Sequence, residues 1–182
     1  FGDIEKDVRV KARGQSRKAI CYFPPMSLNI KKSKVQNEQL KDVKKIKIVT
    51  HCRNTKSNQE FVLKEYLIYK IYEHISPYSF RTRLINMKYI DTGKKGKSIH
   101  TMAFMIEPEK VMANRLGMYR IKMDHMGMRH CEPSSLDLMA MFNYMIGNAD
   151  YSTPMMRNVK MVTPYIGSGV SPVPYDVDFS GL

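Results

Sequence analysis

Apolar and polar positions change period several times along the chain, and the changes mark its elements. Residues 7–13 alternate, with Val8, Val10 and Ala12 on one side, which predicts a strand. The basic turn Arg13-Gly14-Gln15-Ser16-Arg17 follows. After Pro24-Pro25, residues 26–32 alternate again and place Met26, Leu28, Ile30 and Lys32 on one face. Residues 45–51 form a third short strand, with Ile46, Ile48 and Val49 as its apolar members.

The period then lengthens. From Asn58, read as an N-cap, a helix is expected over 58–75, ending before Ser76-Pro77. At 100° per residue, Phe61, Ile68, Tyr72 and Ile75 share one stripe, and Glu65 falls inside it. A carboxylate there either reaches out from the stripe edge or is buried with a cation, and the paired arrangement is preferred because an unpaired buried charge is costly. Residues 81–91 and 97–107 alternate around Thr92-Gly93-Lys94-Lys95-Gly96, which predicts a hairpin. A short helix is expected from Pro108 to residue 115. A second starts at Ser134 or Ser135 and is stopped by Gly147. Short strands close the chain at 158–163 and 173–178, separated by a Gly167-Ser168-Gly169 turn. This order predicts an α+β fold.

Composition alters this picture little, because 43% hydrophobic and 26% charged residues describe an ordinary foldable chain. No stretch approaches the ~18 consecutive apolar residues of a membrane span. Charge changes it more. The chain has 182 residues and a net charge of +13, of which residues 1–56 carry +10. Scattered lysines with few aromatic residues among them describe a solvated basic segment, so no specific nucleic-acid partner is expected. The three cysteines, Cys21, Cys52 and Cys131, permit one internal pair and leave one over. His51-Cys52, His130-Cys131 and His125 lack zinc-ligand spacing. The 15 methionines read as adaptable core filling.

The most specific chemistry lies in the carboxylates of the C-terminal third. Asp150 follows a hydrophobic helix in Gly147-Asn148-Ala149-Asp150, Asn158 comes eight positions later, and Asp176 and Asp178 stand in Tyr175-Asp176-Val177-Asp178-Phe179-Ser180-Gly181. On a continuing strand, Asp176 and Asp178 would point to one face. Phosphoryl transfer from a nucleotide needs such a set. One Asp receives the acceptor hydroxyl's proton, an Asn and a further Asp hold Mg²⁺, and a Lys–Glu pair fixes the nucleotide. Hard oxygen donors of this kind suit Mg²⁺ rather than zinc. Glu65 supplies the helix carboxylate. Lys32 is preferred to Lys31 as the strand lysine, since Lys32 shares the face of Leu28 and Ile30. No Gly-rich loop is present, so Gly14 with Arg13 and Arg17 is expected to contact phosphates in its place.

The same blocks resemble a known group. Val10-Lys11-Ala12-Arg13-Gly14, Cys21-Tyr22-Phe23-Pro24-Pro25-Met26-Ser27-Leu28-Asn29, Leu63-Lys64-Glu65-Tyr66-Leu67-Ile68-Tyr69, Tyr144-Met145-Ile146-Gly147-Asn148-Ala149-Asp150 and the segment 172–181 look like successive motifs of an uncharacterised, exported bacterial family common in Bacteroidetes-type bacteria. That family is distantly similar to the spore-coat protein H (CotH) kinases, an atypical secreted kinase-like group.

The resemblance implies a two-lobed kinase-like fold binding ATP and Mg²⁺. Residues 1–107 would form an N-lobe-like antiparallel sheet with helix 58–75, and residues 108–182 an incomplete C-lobe carrying the catalytic and metal loops. It assigns Asp150 as catalytic aspartate, Asn158 and Asp178 as metal ligands with Asp176 as rival, and Glu65 as the helix glutamate. It also implies an exported location, although no signal peptide stands in this chain.

The expected activity is an ATP- and Mg²⁺-dependent phosphotransferase acting on a protein or small hydroxyl acceptor. Two other readings remain open at this point. One is a non-catalytic pseudokinase or binding module of the cell envelope. The other is a metal-dependent nuclease using Asp176, Asp178 and Glu107.

Overall fold

The computed structural model describes residues 8–14, 17–30, 45–93, 96–178 and 180–181. Lys31 and Lys32 lie outside the described residues, as do Gln15 and Ser16 of the basic turn. The fold is α+β, with one five-stranded sheet, one three-stranded sheet and helices. The chain divides into two compact units, residues 1–62 with 83–108, and residues 63–82 with 109–182. The boundary falls inside the long helix, so most of the helix counted with the N-terminal segment in the sequence belongs to the second unit.

The first unit is built on an antiparallel sheet. Its strands are β1 (Arg9–Ala12), β2 (Met26–Asn29), β3 (Lys45–Val49), β4 (Thr82–Ile90) and β5 (Ser98–Ile106), in spatial order β1-β2-β3-β5-β4. A single turn of helix, α1 (Arg17–Ile20), joins the first two strands. The registers Met26↔Ile48 and Val49↔Phe104 bring β-branched and aromatic side chains abreast. Ile48, Val49, Ala103, Phe104 and Ile106 are all buried.

Beside this core, a disulfide joins Cys21 to Cys52, and Cys131 in the second unit is the cysteine left over. Next to the bridge, His51 is 1% exposed and stacks on Phe23 at 4.6 Å between ring centroids. Its Nδ1 lies 3.2 Å from the Thr50 hydroxyl, which also bonds the Tyr89 hydroxyl at 2.9 Å. Its Nε2 is buried with no hydrogen-bond partner. Burial pushes the imidazole below its usual 6.5.

The helix α2 (Lys56–Ile75) begins two residues before the expected Asn58. Thr55 accepts the Asn58 amide on its hydroxyl at 3.3 Å, so the threonine caps and the asparagine occupies the first turn. The buried stripe is also rotated from the one anticipated. Phe61 and Ile75 are exposed, whereas Val62, Glu65, Ile68, Tyr69 and Tyr72 are buried. Glu65 therefore sits in the centre of the stripe, 6% exposed, rather than at its edge.

In the second unit, α3 (Glu109–Arg115) leads to β6 (Tyr119–Ile121), a strand the periodicity does not reveal because only three residues pair. A 3₁₀ turn (Met128–His130) precedes α4 (Pro133–Met145). The helix begins at Pro133, just before the expected Ser134 or Ser135, and its cap is Glu132. Its carboxylate accepts the amides of Ser134 and Ser135, and these bonds hold its pKa below the usual range. β7 (Val159–Thr163) pairs with β6 on one side and β8 (Ser171–Pro174) on the other. Met126, Cys131, Met139, Val159, Met161 and Val170 form a buried cluster.

The expected strand over 173–178 is corrected. β8 ends at Pro174, and Asp176 takes a left-handed φ of 57°, which breaks the extended run. Asp176 and Asp178 therefore stand on a loop and do not share a strand face. Among the described residues, no helix is long and apolar enough to cross a membrane.

Two outcomes follow for the first unit. The bridge closes a 31-residue separation, so reducing it or making Cys52→Ser removes about 3–4 kcal/mol by loop-closure entropy. Scanning calorimetry with and without reductant checks this, and a melting temperature insensitive to reductant contradicts it. Because the folded imidazole of His51 titrates below 6.5, the unfolded chain takes up the proton first as pH falls. Stability is full above 6.5 and declines as pH drops toward the folded value. Urea midpoints at about pH 7.5 and about pH 5.5 should converge in His51→Leu relative to the parent chain.

Candidate active site

The site residues of the C-terminal third are positioned by a relay of amides that starts inside α4. Asn143 is fully buried and donates its side-chain amide to the Met139 carbonyl at 2.9 Å. Its Oδ1 accepts Asn148 Nδ2 at 2.8 Å, and Asn148 Oδ1 accepts the backbone amide of Asp150 at 3.1 Å. Gly147, at φ 62°, reverses the chain between helix and relay, a left-handed turn that suits glycine. The main chain at Asp150 is thus fixed to the helix by side-chain hydrogen bonds.

From Asp150 the chain makes a small hairpin. Ser152 and Arg157 exchange backbone hydrogen bonds at 2.9 and 3.0 Å, with the turn at residues 153–156. The excursion returns Asn158 to the start of the loop. Its Nδ2 donates to the Asp150 carbonyl at 2.6 Å and to Asp150 Oδ2 at 3.0 Å. The eight-residue interval therefore does not separate the two residues, because the hairpin takes up its length. Arg157 Nε lies 3.5 Å from the other carboxylate oxygen, Oδ1. Asn158 adopts a left-handed φ of 51°, tolerable for asparagine and uncommon for other side chains.

The segment after β8 is held against the same loop at both ends. Tyr175 donates its amide to the Asn158 carbonyl at 2.9 Å, and the Asp176 amide donates to the Tyr69 hydroxyl at 2.9 Å. Farther on, Gly181 donates to the Ile146 carbonyl at 3.0 Å. There the two chains touch glycine on glycine, and a Cβ built on Gly147 would lie 3.4 Å from Gly181 Cα. Asp178 stands between these anchors, half-buried.

Tyr69 is buried, which pushes its phenol well above 10.0, and the Glu65 charge one helical turn away raises it further. It remains a neutral hydroxyl across the physiological range. Its ring lines a tight cavity of about 10 Å³ with Ile68, Tyr72, Phe80, Phe142 and Val177, a space no larger than one water. Tyr72 and Phe142 rings pack at 4.7 Å, and Phe80 and Tyr175 at 5.4 Å.

The second unit thus contains Glu65, Asp150, Asn158, Asp176 and Asp178, and the structure bonds Asp150 directly to Asn158. Arg13, Gly14 and Arg17 belong to the first unit. There Gly14 takes a left-handed φ of 85° and the Arg13 amide donates to Pro25 at 2.7 Å. Glu107, considered with Asp176 and Asp178 as a nuclease set, also belongs to the first unit. Among the described residues no three His, Cys, Asp or Glu side chains gather as a metal centre. A side-chain contact within the set under consideration is that of Asn158 with Asp150. With Asn158 Nδ2 committed to Asp150, its Oδ1 takes no part in those two bonds. Oδ1 and the carboxylate of Asp178 or Asp176 are hard oxygen donors of the kind that fit Mg²⁺.

Sequence reasoning missed Asn148, Arg157 and Tyr69. Asn148 carries a readable signal, an amide side chain two residues before the amide it accepts, as in an Asx turn. Tyr69 carries none, since its partner Asp176 is 107 residues away.

Tyr69→Phe removes the acceptor of the Asp176 amide and should lower stability by about 1–3 kcal/mol. Urea unfolding measures this loss, and a midpoint equal to that of the parent chain would remove Tyr69 from the set of anchors. No protein-family model, curated protein or solved structure matches the chain.

Proposed function

We propose that this chain is the core of an atypical kinase-like, ATP- and Mg²⁺-dependent phosphotransferase that acts on a protein or small hydroxyl acceptor. The observation that carries the reading is the two-point bond from Asn158 Nδ2 to the carbonyl and carboxylate of Asp150, made across an eight-residue hairpin. Support comes also from the order of elements, since α2 with its buried Glu65 stands between the third and fourth strands of an antiparallel sheet. The resemblance to the spore-coat kinase group points the same way. Export fits this reading, since a disulfide such as Cys21–Cys52 persists in oxidising compartments.

In this mechanism Asp150 accepts the proton of the acceptor hydroxyl. The hydroxyl oxygen forms the new bond to the γ-phosphorus as the bridging P–O bond breaks and ADP leaves. Asn158 fixes the Asp150 carboxylate through Oδ2, so the accepting oxygen is aimed before substrate arrives. Asn158 Oδ1 and Asp178, with Asp176 as the alternative, would hold Mg²⁺. When bound, the ion supplies positive charge that offsets charge on the phosphate oxygens. Arg157, beside Asp150 Oδ1, adds a cation next to the reacting phosphoryl group. Lys31, Lys32, Arg13, Gly14 and Arg17 keep their nucleotide-holding assignment on the ground of sequence.

The position of Arg157 also favours a second reading. A guanidinium 3.5 Å from Asp150 Oδ1 can occupy the carboxylate that a transfer step needs free, as suits a pseudokinase that binds nucleotide without turnover.

Incubation with labelled ATP and Mg²⁺ should give label transfer that falls at least about 100-fold in Asp150→Asn and in Asp178→Ala. Transfer that survives both substitutions defeats the site assignment. A melting temperature raised by ATP with Mg²⁺, without any transfer, selects the pseudokinase. If nucleotide produces neither effect, both readings fall.

A further inference from the structure

Charge is divided unequally between the two units. The first, residues 1–62 with 83–108, holds 20 Lys and Arg against 8 Asp and Glu, a net of +12, and the second holds +1. Within the first unit, the described residues 8–14, 17–30 and 45–59 carry nine Lys and Arg and no Asp or Glu. Such a surface attracts polyanions, and the side chains that stand among the cations decide which kind.

The decisive side chains are on α1 and the turn that follows it. None of the four residues of α1 is buried. Ile20 is 64% exposed and Tyr22 81% exposed. The fold nevertheless holds this turn in place. The Cys21 amide donates to the Arg17 carbonyl at 3.0 Å, the Phe23 amide donates to the Cys52 carbonyl at 3.1 Å, and the disulfide ties Cys21 to Cys52. Phe23 itself is buried, with its ring on those of His51 and Tyr89. Two large apolar side chains are thus kept facing water on either side of a covalently anchored cysteine.

The same bridge brings cations to them. The Cα atoms of Cys21 and Cys52 are 4.6 Å apart. Each chain neighbour adds about 3.8 Å, so the Cα of Arg53 lies within about 12 Å of those of Ile20 and Tyr22. Arg53 is exposed, as is Lys18, three residues before Cys21. This combination selects among polyanions. A nucleic acid strand uses aromatic rings that stack on its bases, and Tyr22 is the single exposed aromatic residue of these segments. Ile20 would have no part in such binding. An anionic bilayer engages all three kinds of side chain at once. Headgroup phosphates meet the cations, the acyl boundary takes isoleucine, and a tyrosine ring settles between them with its hydroxyl outward.

We propose that the Ile20–Tyr22 turn is a peripheral membrane anchor, which enters the headgroup layer of an anionic phospholipid bilayer under the attraction of the basic first unit. The anchor is independent of the phosphotransferase reading, since it needs neither nucleotide nor Mg²⁺.

The chain contains no tryptophan, so Tyr22→Trp introduces a single fluorophore at the turn. With the disulfide intact, its emission should shift to the blue on vesicles of phosphatidylcholine containing about one-third phosphatidylglycerol. Vesicles of phosphatidylcholine alone should leave it unchanged. Cosedimentation of the parent chain with the same vesicles gives the affinity. Ile20→Ser, which leaves the net charge as it is, should weaken binding about tenfold. The double variant Lys18→Gln with Arg53→Gln should weaken it by a similar factor. Melting temperatures confirm that each variant is folded, and Tyr22→Ser takes the place of Ile20→Ser if the latter is not.

No binding to the anionic vesicles overturns the proposal. Binding that is equally tight in the folded serine variant, or that leaves the emission unshifted, overturns it too, because charge alone then holds the protein. A single-stranded oligonucleotide that binds more tightly than the vesicles and shifts the emission equally assigns the turn to nucleic acid, and the anchor falls. Binding with the blue shift and the loss in the serine variant upholds the anchor, whether or not label is transferred from ATP.

Discussion

The amide of Asn158 bonded to both the carbonyl and the carboxylate of Asp150 is the contact on which the arrangement of the second unit's C-terminal loops depends. It closes the hairpin at its base and sets the Asp150 carboxylate at one orientation. The Asn158 carbonyl accepts Tyr175, so the same contact also places the loop that carries Asp176 and Asp178. Behind it stands the amide relay from Asn143 through Asn148, buried and satisfied at each step we describe. Buried polar groups with good partners specify one arrangement, because every alternative leaves a desolvated amide unpaired. The precision of this loop thus comes from α4, an element that contributes no candidate catalytic group.

Much of the fold was legible in the sequence, and the reason is periodicity. The alternations around residues 26, 45, 82 and 98 became β2 to β5, and Gly147 ended α4 as its chemistry predicts. Legibility failed where local pattern competes with tertiary packing. Phe61 and Ile75 suggest one helical face, but packing selected the face of Val62, Glu65, Ile68 and Tyr69. The strand expected to run through Asp178 stopped at Pro174, since Asp176 tolerates a left-handed conformation that hydrophobic alternation does not signal.

The candidate site was legible to a different degree. Residue type and chain order singled out Asp150, Asn158 and Asp178, because oxygen donors near helix and strand ends are conspicuous in a sequence. The hairpin that cancels the long Asp150-to-Asn158 interval could not be read, since its registering pair, Ser152 with Arg157, has no distinctive side-chain pattern. The support from Tyr69 was equally hidden, being a contact between a helix and a loop far apart in the chain. Charge was legible as a distribution, with +10 of the net +13 carried by residues 1–56.

The crossing of Gly147 and Gly181 has a mechanical consequence. Side chains normally cushion two backbones that meet, absorbing small displacements by rotamer changes. At this crossing neither chain has a side chain, and the spacing leaves barely room for one carbon. A movement of the chain at Gly181 would therefore meet the Gly147 backbone directly, at the turn that leads from α4 into the Asn148–Asp150 segment.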